Sequence, residues 1–359
     1  MTTPRKPTIA DVARAAGVSK GLVSFVFNDR PGVAPQTRAR ILSAADELGW
    51  RPSLSARSLS TRTSFALGLV VRRYAQVISS DPFFPAFIAG IELALAGEGR
   101  VLVLCVVPDE DSEMRAYRNL VHDRRVDGVF LTDLRRGDRR LAVVANLGLP
   151  AVTVGHPEQP SEFPVVNLDD SAGIEAVVAH LVHLGHTRIA HVAGDLVMLH
   201  GIRRERCFRE AMSSADLKPT KIIGTDFSAA AGARATAELL ALRQPPTAIV
   251  YASDPMAIAG LGLLQERGLQ VPSDISITGF DGTEMARHVF PALTTVSSDP
   301  VAWGQAAATT LLTLIADGRR VNVELPAAEL IAGASTGPPR PHQIVTNLSA
   351  PTLTVSGTH

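Results

Sequence analysis

The stretch TIADVARAAGVSKGLVSFVFNDRPGVAPQTRARILSAADELGWRPSLSARSL, residues 8–59, decides how the rest of the chain is read. Thr8 with Asp11 three residues on makes a helix start of the capping-box kind, and Ile9, Val12, Ala13 and Ala16 recur at helical spacing until Gly17. Ser19 is placed to cap a second helix. With only Gly17 and Val18 between them, the two helices must fold back at a steep angle, the geometry of a helix-turn-helix. Val23 and Val26, with Leu22, are expected in the core. That leaves Lys20, Gly21 and Phe25 near the open N-terminal part of the second helix, where side chains reach base edges in a major groove. A third helix is expected from Pro35 to Gly49, burying Ile41, Leu42, Ala45 and Leu48.

Charge points the same way. The 359-residue chain is neutral overall, with 35 basic against 35 acidic side chains, yet residues 1–62 hold ten Lys or Arg and four Asp or Glu. That surplus of six positive charges is balanced by an equal negative surplus in the remainder. A short basic segment is the footprint of a phosphate-binding module, because each neutralised phosphate releases condensed counterions. From Phe65 onward the pattern changes to short apolar runs, among them ALGLVV, VLVLCVV, GVFL, AVTV, RIAHVA, AIVYA and ISITGF, separated by amphipathic helical stretches. This alternation predicts parallel sheets wrapped by helices. Open sheets of that kind bind ligands in loops at the carboxyl ends of their strands.

The runs TIADVARAAGVSKGLVSFVFN and TRARILSAADELGWRPSLSARSL resemble the DNA-binding and hinge region of the LacI/GalR family of bacterial transcription regulators. The resemblance continues through DPFFPAFIAGIELAL, VDGVFL, HLVHLGHTRIAHVAG, SDPMAIAGLGLLQERGLQVPSDISITGFD and LTTV, to about Ser335. It implies a small all-α headpiece and an α/β core of two lobes with parallel sheets, similar to type I periplasmic binding proteins. Three chain crossings are expected between the lobes, near Pro164, Thr295 and Val321. The expected units are a helix-turn-helix domain over 1–51 and a hinge over 52–62. The N-lobe is then 63–164 plus 296–321 and the C-lobe 165–295 plus 322–337, followed by a disordered Pro-, Ser- and Thr-rich tail over 338–359. The partners implied are a pseudo-palindromic operator duplex, a small-molecule effector and a second copy of the chain, as a homodimer or tetramer.

Site residues follow by their match to family positions. Lys20, Gly21 and Phe25 are expected to read bases: Lys20 as a donor to guanine, Gly21 by letting the helix approach, and Phe25 against a thymine methyl unless it is a core aromatic. Thr8, Ser19, Ser24, Asn28, Thr37 and Arg38 are expected on the DNA backbone. In the hinge, Ala56, Arg57 and Leu59 match a minor-groove segment in which the leucine wedges between base pairs. Arg204 and Asp281 match an arginine and aspartate that clamp vicinal hydroxyls of an effector. Asp81, Phe83, Phe84, Phe227 and Asp254 lie on candidate cleft rims, and Met198, His200 and His156 at variable positions that tune specificity. The chain departs from the family pattern at Gly155, Cys207, Gly282 and Gly333, which leaves the effector open between a sugar or sugar derivative and a purine or nucleoside.

Other classes find little support. No GxGxxG fingerprint, Walker A loop or GxSxG elbow occurs, so neither catalytic residues nor a cofactor are expected. A binding protein without operator function is the alternative that the core alone would suggest. His180, His183 and His186 have a metal-like spacing, but no cysteine or carboxylate completes a ligand set, and a structural role is expected. Cys105 and Cys207 are read as core residues. The polar N-terminus, without an apolar signal region or a spanning run, gives the expectation of a cytoplasmic protein.

Overall fold

The computed structural model describes residues 6–28, 30–51, 63–73, 78 and 81–340. The hinge residues Ala56, Arg57 and Leu59 lie outside the described residues, as do positions 341–359. In the headpiece, α1 (Ile9–Ala15), α2 (Lys20–Phe27) and α3 (Pro35–Glu47) follow the expected boundaries. Asp11 accepts from both the backbone N–H and the hydroxyl of Thr8, at 2.9 and 2.7 Å. Gly17 leaves α1 at φ +63°, and the Ser19 hydroxyl caps α2 by accepting from Leu22 N–H at 3.2 Å. Val12, Val23, Val26, Ile41 and Ala45 form the core, with Phe27 set edge-on to Trp50 at 5.0 Å. Leu42 and Leu48 do not join it, at 43% and 36% exposed. On a helix packed along one narrow stripe, Ile41, Ala44 and Ala45 fill the facing positions and turn those two leucines outward.

In the core, β1 (Ala66–Arg72), β2 (Val101–Val107), β3 (Gly128–Leu131), β4 (Ala151–Val154) and β5 (Val165–Leu168) alternate with α4 (Phe83–Ala96), α5 (Glu110–His122) and α6 (Arg139–Asn146). Next come α7 (Ser171–His183), β6 (Ile189–Ala193), α8 (Leu199–Ser214), β7 (Ile222–Gly224), α9 (Ala229–Leu240), β8 (Ala248–Tyr251), α10 (Asp254–Glu266), β9 (Ser276–Thr278) and α11 (Glu284–His288). The chain closes with β10 (Thr295–Ser297), α12 (Pro300–Asp317), β11 (Val323–Leu325) and β12 (Glu329–Ile331). One sheet has the order β11-β5-β4-β3-β1-β2 and the other β7-β6-β8-β9; all their pairings are parallel. β10 and β12 form an antiparallel pair.

The strand pairings correct two of the expected crossings. Val323 pairs with Val166 and Leu325 with Leu168, so β5 and β11 lie together in the first sheet. The chain therefore leaves that lobe after Leu168 and after Leu325, not near Pro164 and Val321. The middle crossing follows β10, beside the expected Thr295. The expected tail also starts too early, since Arg340 is paired with Asp274 at 2.5 Å.

Packing in the first lobe depends on close helix approach. A Cβ on Gly90 of α4 would lie 2.0 Å from Val301 O, and one on Gly304 of α12 would lie 2.1 Å from Phe87 O. The two helices thus touch backbone to backbone, and Phe84, Phe87 and Ile91 are driven onto the sheet beneath. In the second lobe, His191 of β6 is fully buried, its ring stacked on Phe208 at 4.8 Å, with Nδ1 donating to Val250 C=O at 2.8 Å. Cys207 is buried beside Phe208, whereas Cys105 on edge strand β2 is only half-buried.

Burial pushes the His191 pKa down to about 4, with the Val250 hydrogen bond opposing. A depressed histidine takes its proton more readily in the unfolded chain, so this contribution is intact above about pH 6.5 and is lost as pH falls toward about 4. His191→Leu should therefore lose about 2 kcal/mol less stability than wild type between pH 7 and pH 5. Urea unfolding at the two pH values measures this; equal losses in both proteins would contradict a neutral buried imidazole.

Candidate DNA face and ligand cleft

On the headpiece, the first turn of α2 is open: Ser19, Lys20 and Gly21 are exposed, and Phe25 follows one turn later at 41% exposure. Phe25 is therefore not a core aromatic. Its ring carries the Arg30 guanidinium at 5.4 Å, so an exposed aromatic plane with a cation over it follows the exposed Lys20 on α2. Asn28 closes the helix by donating to Ser24 C=O and Oγ at 2.9 and 3.1 Å, which fixes both residues at the end of the same helix. Thr37 and Arg38 are half-buried on the first turns of α3, and the Thr8 hydroxyl is committed to Asp11.

The ligand cleft is assembled where strands end. Its lining combines Asp81, Phe83, His156, His200, Arg204, Phe227 and Asp281, all expected from the sequence, with residues of both lobes. Three expected members fall elsewhere. Phe84 is buried in the first-lobe core, because its place on α4 faces the sheet. Asp254 is fully buried under the rim, accepting from Thr283 N–H, Thr283 Oγ1 and Thr295 Oγ1 at 2.7, 2.9 and 2.5 Å. Its carboxylate ties the loop after β9 to β10 and is spent there. Met198 is buried behind Arg73, its sulfur 3.4 Å from Nη2.

Sequence reasoning missed Arg73, directly after β1, and Asp133, two residues past the end of β3. Their position at the carboxyl ends of ALGLVVR and GVFL was the available signal. The two side chains are only 6% and 8% exposed, and the Asp133 carboxylate accepts from Nε and Nη2 of Arg73 at 2.7 and 2.8 Å. Burial opposes both charges, but each outweighs that cost for the other: Arg73 is held above its ordinary pKa and Asp133 well below the carboxylate range. Arg73 lies between the rings of Phe84 and Phe227, at 5.7 and 5.5 Å. Its buried Nη1 makes no hydrogen bond, although Asp81 Oδ2 stands 3.6 Å away. The enclosed cleft holds His200 well below its ordinary pKa and therefore neutral, beside Phe227 at 5.4 Å.

Across the cleft, Arg204 is fixed by Asp170 at 2.8 Å and by Ala252 C=O at 3.0 Å, and lies 3.6 Å over the Phe280 ring. Asp281 has no such partner. Among the described residues no cationic side chain comes within ion-pair distance of its carboxylate. Burial raises its pKa well above the ordinary value, with the charge of Arg204 opposing. Its backbone sits at φ +115°, a conformation rare for a residue with a side chain. Phe227 also has positive φ, at +67°, and its ring lies where a Cβ on Gly194 would be, 1.8 Å from Cζ. The lining thus offers a recessed acceptor, an open guanidinium N–H and the aromatic walls Phe83, Phe227 and Trp303.

His180 on α7 and His186 just beyond it serve structure, while His183 is exposed. His180 Nε2 bonds Thr336 Oγ1 at 2.9 Å, and His186 bridges Thr247, Ser276 and Gly337. Among the described residues no cluster of metal-ligating side chains occurs, and no helix is long and apolar enough to cross a membrane.

Residues 8–53 match the family model described as bacterial regulatory proteins of the lacI family, and residues 178–336 match the periplasmic binding protein-like domain. The HTH-type transcriptional regulator CelR of Thermobifida fusca is 33% identical over 318 residues, 87% of this chain and 93% of that protein. The HTH-type transcriptional repressor PurR of Aliivibrio salmonicida is 32% identical over 314 residues, covering 86% and 92%. Among solved structures, a CelR–cellobiose complex superposes with a TM-score of 0.71 at 31% identity, covering 92% of this chain and 99% of that one. A lac repressor dimer bound to operator and the anti-inducer ONPF superposes at 0.81 with 28% identity, covering 93% and 100%. A basic helix-turn-helix ahead of a two-lobed parallel α/β core, matched over nearly its whole length by such regulators, places the chain in the LacI family of DNA-binding transcriptional regulators.

Proposed function

We propose that this protein is a homodimeric repressor, acting in the cytoplasm, whose grip on a pseudo-palindromic operator is set by a sugar or sugar derivative bound between the two lobes. The observation that carries the effector reading is the recessed Asp281 carboxylate, without a cation of its own, opposite an Arg204 already fixed by Asp170. Acceptors of that kind suit the hydroxyl donors of a polyol, and the ring faces of Phe83 and Phe227 suit its apolar face. Similarity to the CelR–cellobiose complex supports this class. The aromatic walls and the similarity to PurR favour a purine as the second reading. Calorimetry with cellobiose, simple monosaccharides and purine bases separates the two, and binding confined to the bases would overturn the sugar reading.

On DNA, Lys20 and Gly21 would meet base edges, with Phe25 pressing on a thymine methyl and Ser19, Ser24, Asn28, Thr37 and Arg38 holding the backbone. Lys20→Ala should then relax base preference at one step of each half-site, and Arg38→Ala should weaken all sequences about equally. Selection of bound duplexes from a random pool reads this. Unchanged preferences in Lys20→Ala would place the recognition surface elsewhere.

A two-fold operator calls for a two-fold protein. The edge strand β2 leaves Val101, Leu104 and Val106 in solvent, Leu104 at 46% exposure, with Leu93 of α4 also exposed. An apolar sheet edge of this kind is suited to burial against a second copy of the chain. Leu104→Glu should convert the dimer to monomer and lower operator affinity at least tenfold, with the fold unchanged. Sedimentation velocity with circular dichroism tests this, and a Leu104→Glu protein that stays dimeric would move the interface off β2.

A further inference from the structure

Beside the ligand cleft, the end of β1, helix α5 and the loop leading into α6 enclose a second cavity of about 120 Å³. Its lining is almost wholly ionic: Arg72, Arg135, Arg136, Arg139 and Arg140 with Glu110, Glu113 and Asp138. Three guanidinium groups converge on the fully buried Glu113 carboxylate, from Arg135 at 3.0 Å, Arg140 at 3.2 Å and Arg72 at 3.4 Å. Asp138 takes up Arg140 at 2.6 Å, Glu110 is shared by Arg72 and Arg139 at 3.3 and 3.4 Å, and Glu158 on the rim stands 3.6 Å from Arg136. Five cations therefore face four carboxylates.

Arg135 is left over. Its side chain is 8% exposed, yet only Nη1 is engaged, with Glu113; Nε and Nη2 have no partner among the described residues. Those two nitrogens are not sealed from water, so they stand open to an acceptor that enters the cavity. Burial and the like charge of Arg140 together lower its pKa, as expected of a site short of negative charge. The planar fork of arginine matches the oxygens of a phosphoryl group two at a time. No aromatic ring lines the cavity, so it lacks the stacking face that the ligand cleft has.

We propose that this cavity is an oxyanion site that takes a phosphoryl group, either as inorganic phosphate or as a small phosphate monoester. Arg135 supplies its free fork from within, and Arg136 and Arg139 close over the anion from the rim. The site lies against the seam between the lobes, where Arg136 N–H donates to Val197 C=O at 3.3 Å and Leu199 N–H donates to Leu134 C=O at 2.7 Å.

Calorimetry on the full chain, at constant ionic strength in chloride, with inorganic phosphate and with glycerol 3-phosphate, tests the assignment. Saturable binding of one anion per chain is expected, with the tighter of the two identifying the free or the esterified form. Arg135→Gln should weaken it at least tenfold. Because Arg135→Gln also disturbs Glu113, the double variant Arg136→Ser/Arg139→Ser, which alters only exposed side chains, should weaken it severalfold in a normally folded protein. Binding should persist in Lys20→Ala/Arg38→Ala and in Arg203→Ala. Absence of saturable binding by either anion overturns the proposal. So does binding that survives Arg136→Ser/Arg139→Ser but is lost on changing the headpiece or Arg203.

Discussion

Charges taken out of water must find partners, and the core of this protein is arranged around that constraint. Parallel strands end together, so their carboxyl ends bring Arg73, Asp133, Asp170 and Asp281 to one place. Two of the resulting charges close on each other, Arg73 with Asp133, and Arg204 reaches across from α8 to Asp170. These pairs are held in fixed geometry by rings: Phe84 and Phe227 about Arg73, and Phe280 beneath Arg204. What is left open is small and specific, the Nη1 of Arg73, while the carboxylate of Asp281 stands without a cationic partner. A ligand that supplies an acceptor to one and a donor to the other completes a site in which Arg73 and Arg204 already hold their own carboxylates.

The headpiece was legible because its determinants are local. Thr8, Asp11, Gly17 and Ser19 each act within a few residues, and their caps form as the spacing requires. The alternation of apolar runs likewise carried the parallel sheets. Lobe boundaries were less legible, since β5 joins the first sheet by pairing with β4, and β11 joins it only by pairing with β5 across more than a hundred and fifty residues of sequence. Nothing local to VVNL or VEL records that pairing.

The cleft residues divide along the same line. Asp281 and Arg204 could be placed by their match to family positions, and both line the cleft. Asp254 sits at a strand end, but its carboxylate is turned inward by Thr283 and Thr295, which come from elsewhere in the chain. Phe83 and Phe84 are neighbours on one helix, and only the packing of α4 on its sheet decides that the first lines the cleft and the second the core. Arg73 was overlooked because a charged residue ending an apolar strand usually meets solvent, and its partner Asp133 lies 60 positions away.

The lobes, joined by three crossings, give a bound ligand a way to act at a distance. A molecule that bridges Arg73 on one lobe and Asp281 on the other favours one relation of the lobes over another, and only that difference in affinity can alter the hold on DNA. The most direct test is operator affinity by fluorescence anisotropy, with and without a saturating sugar that calorimetry has shown to bind, in wild type and in Asp281→Asn. The expected result is a change in operator affinity of about tenfold or more in wild type, in line with ordinary allosteric coupling of 1–3 kcal/mol, and no change in an Asp281→Asn protein that still binds operator. An operator affinity indifferent to a sugar bound in the wild-type cleft would contradict it.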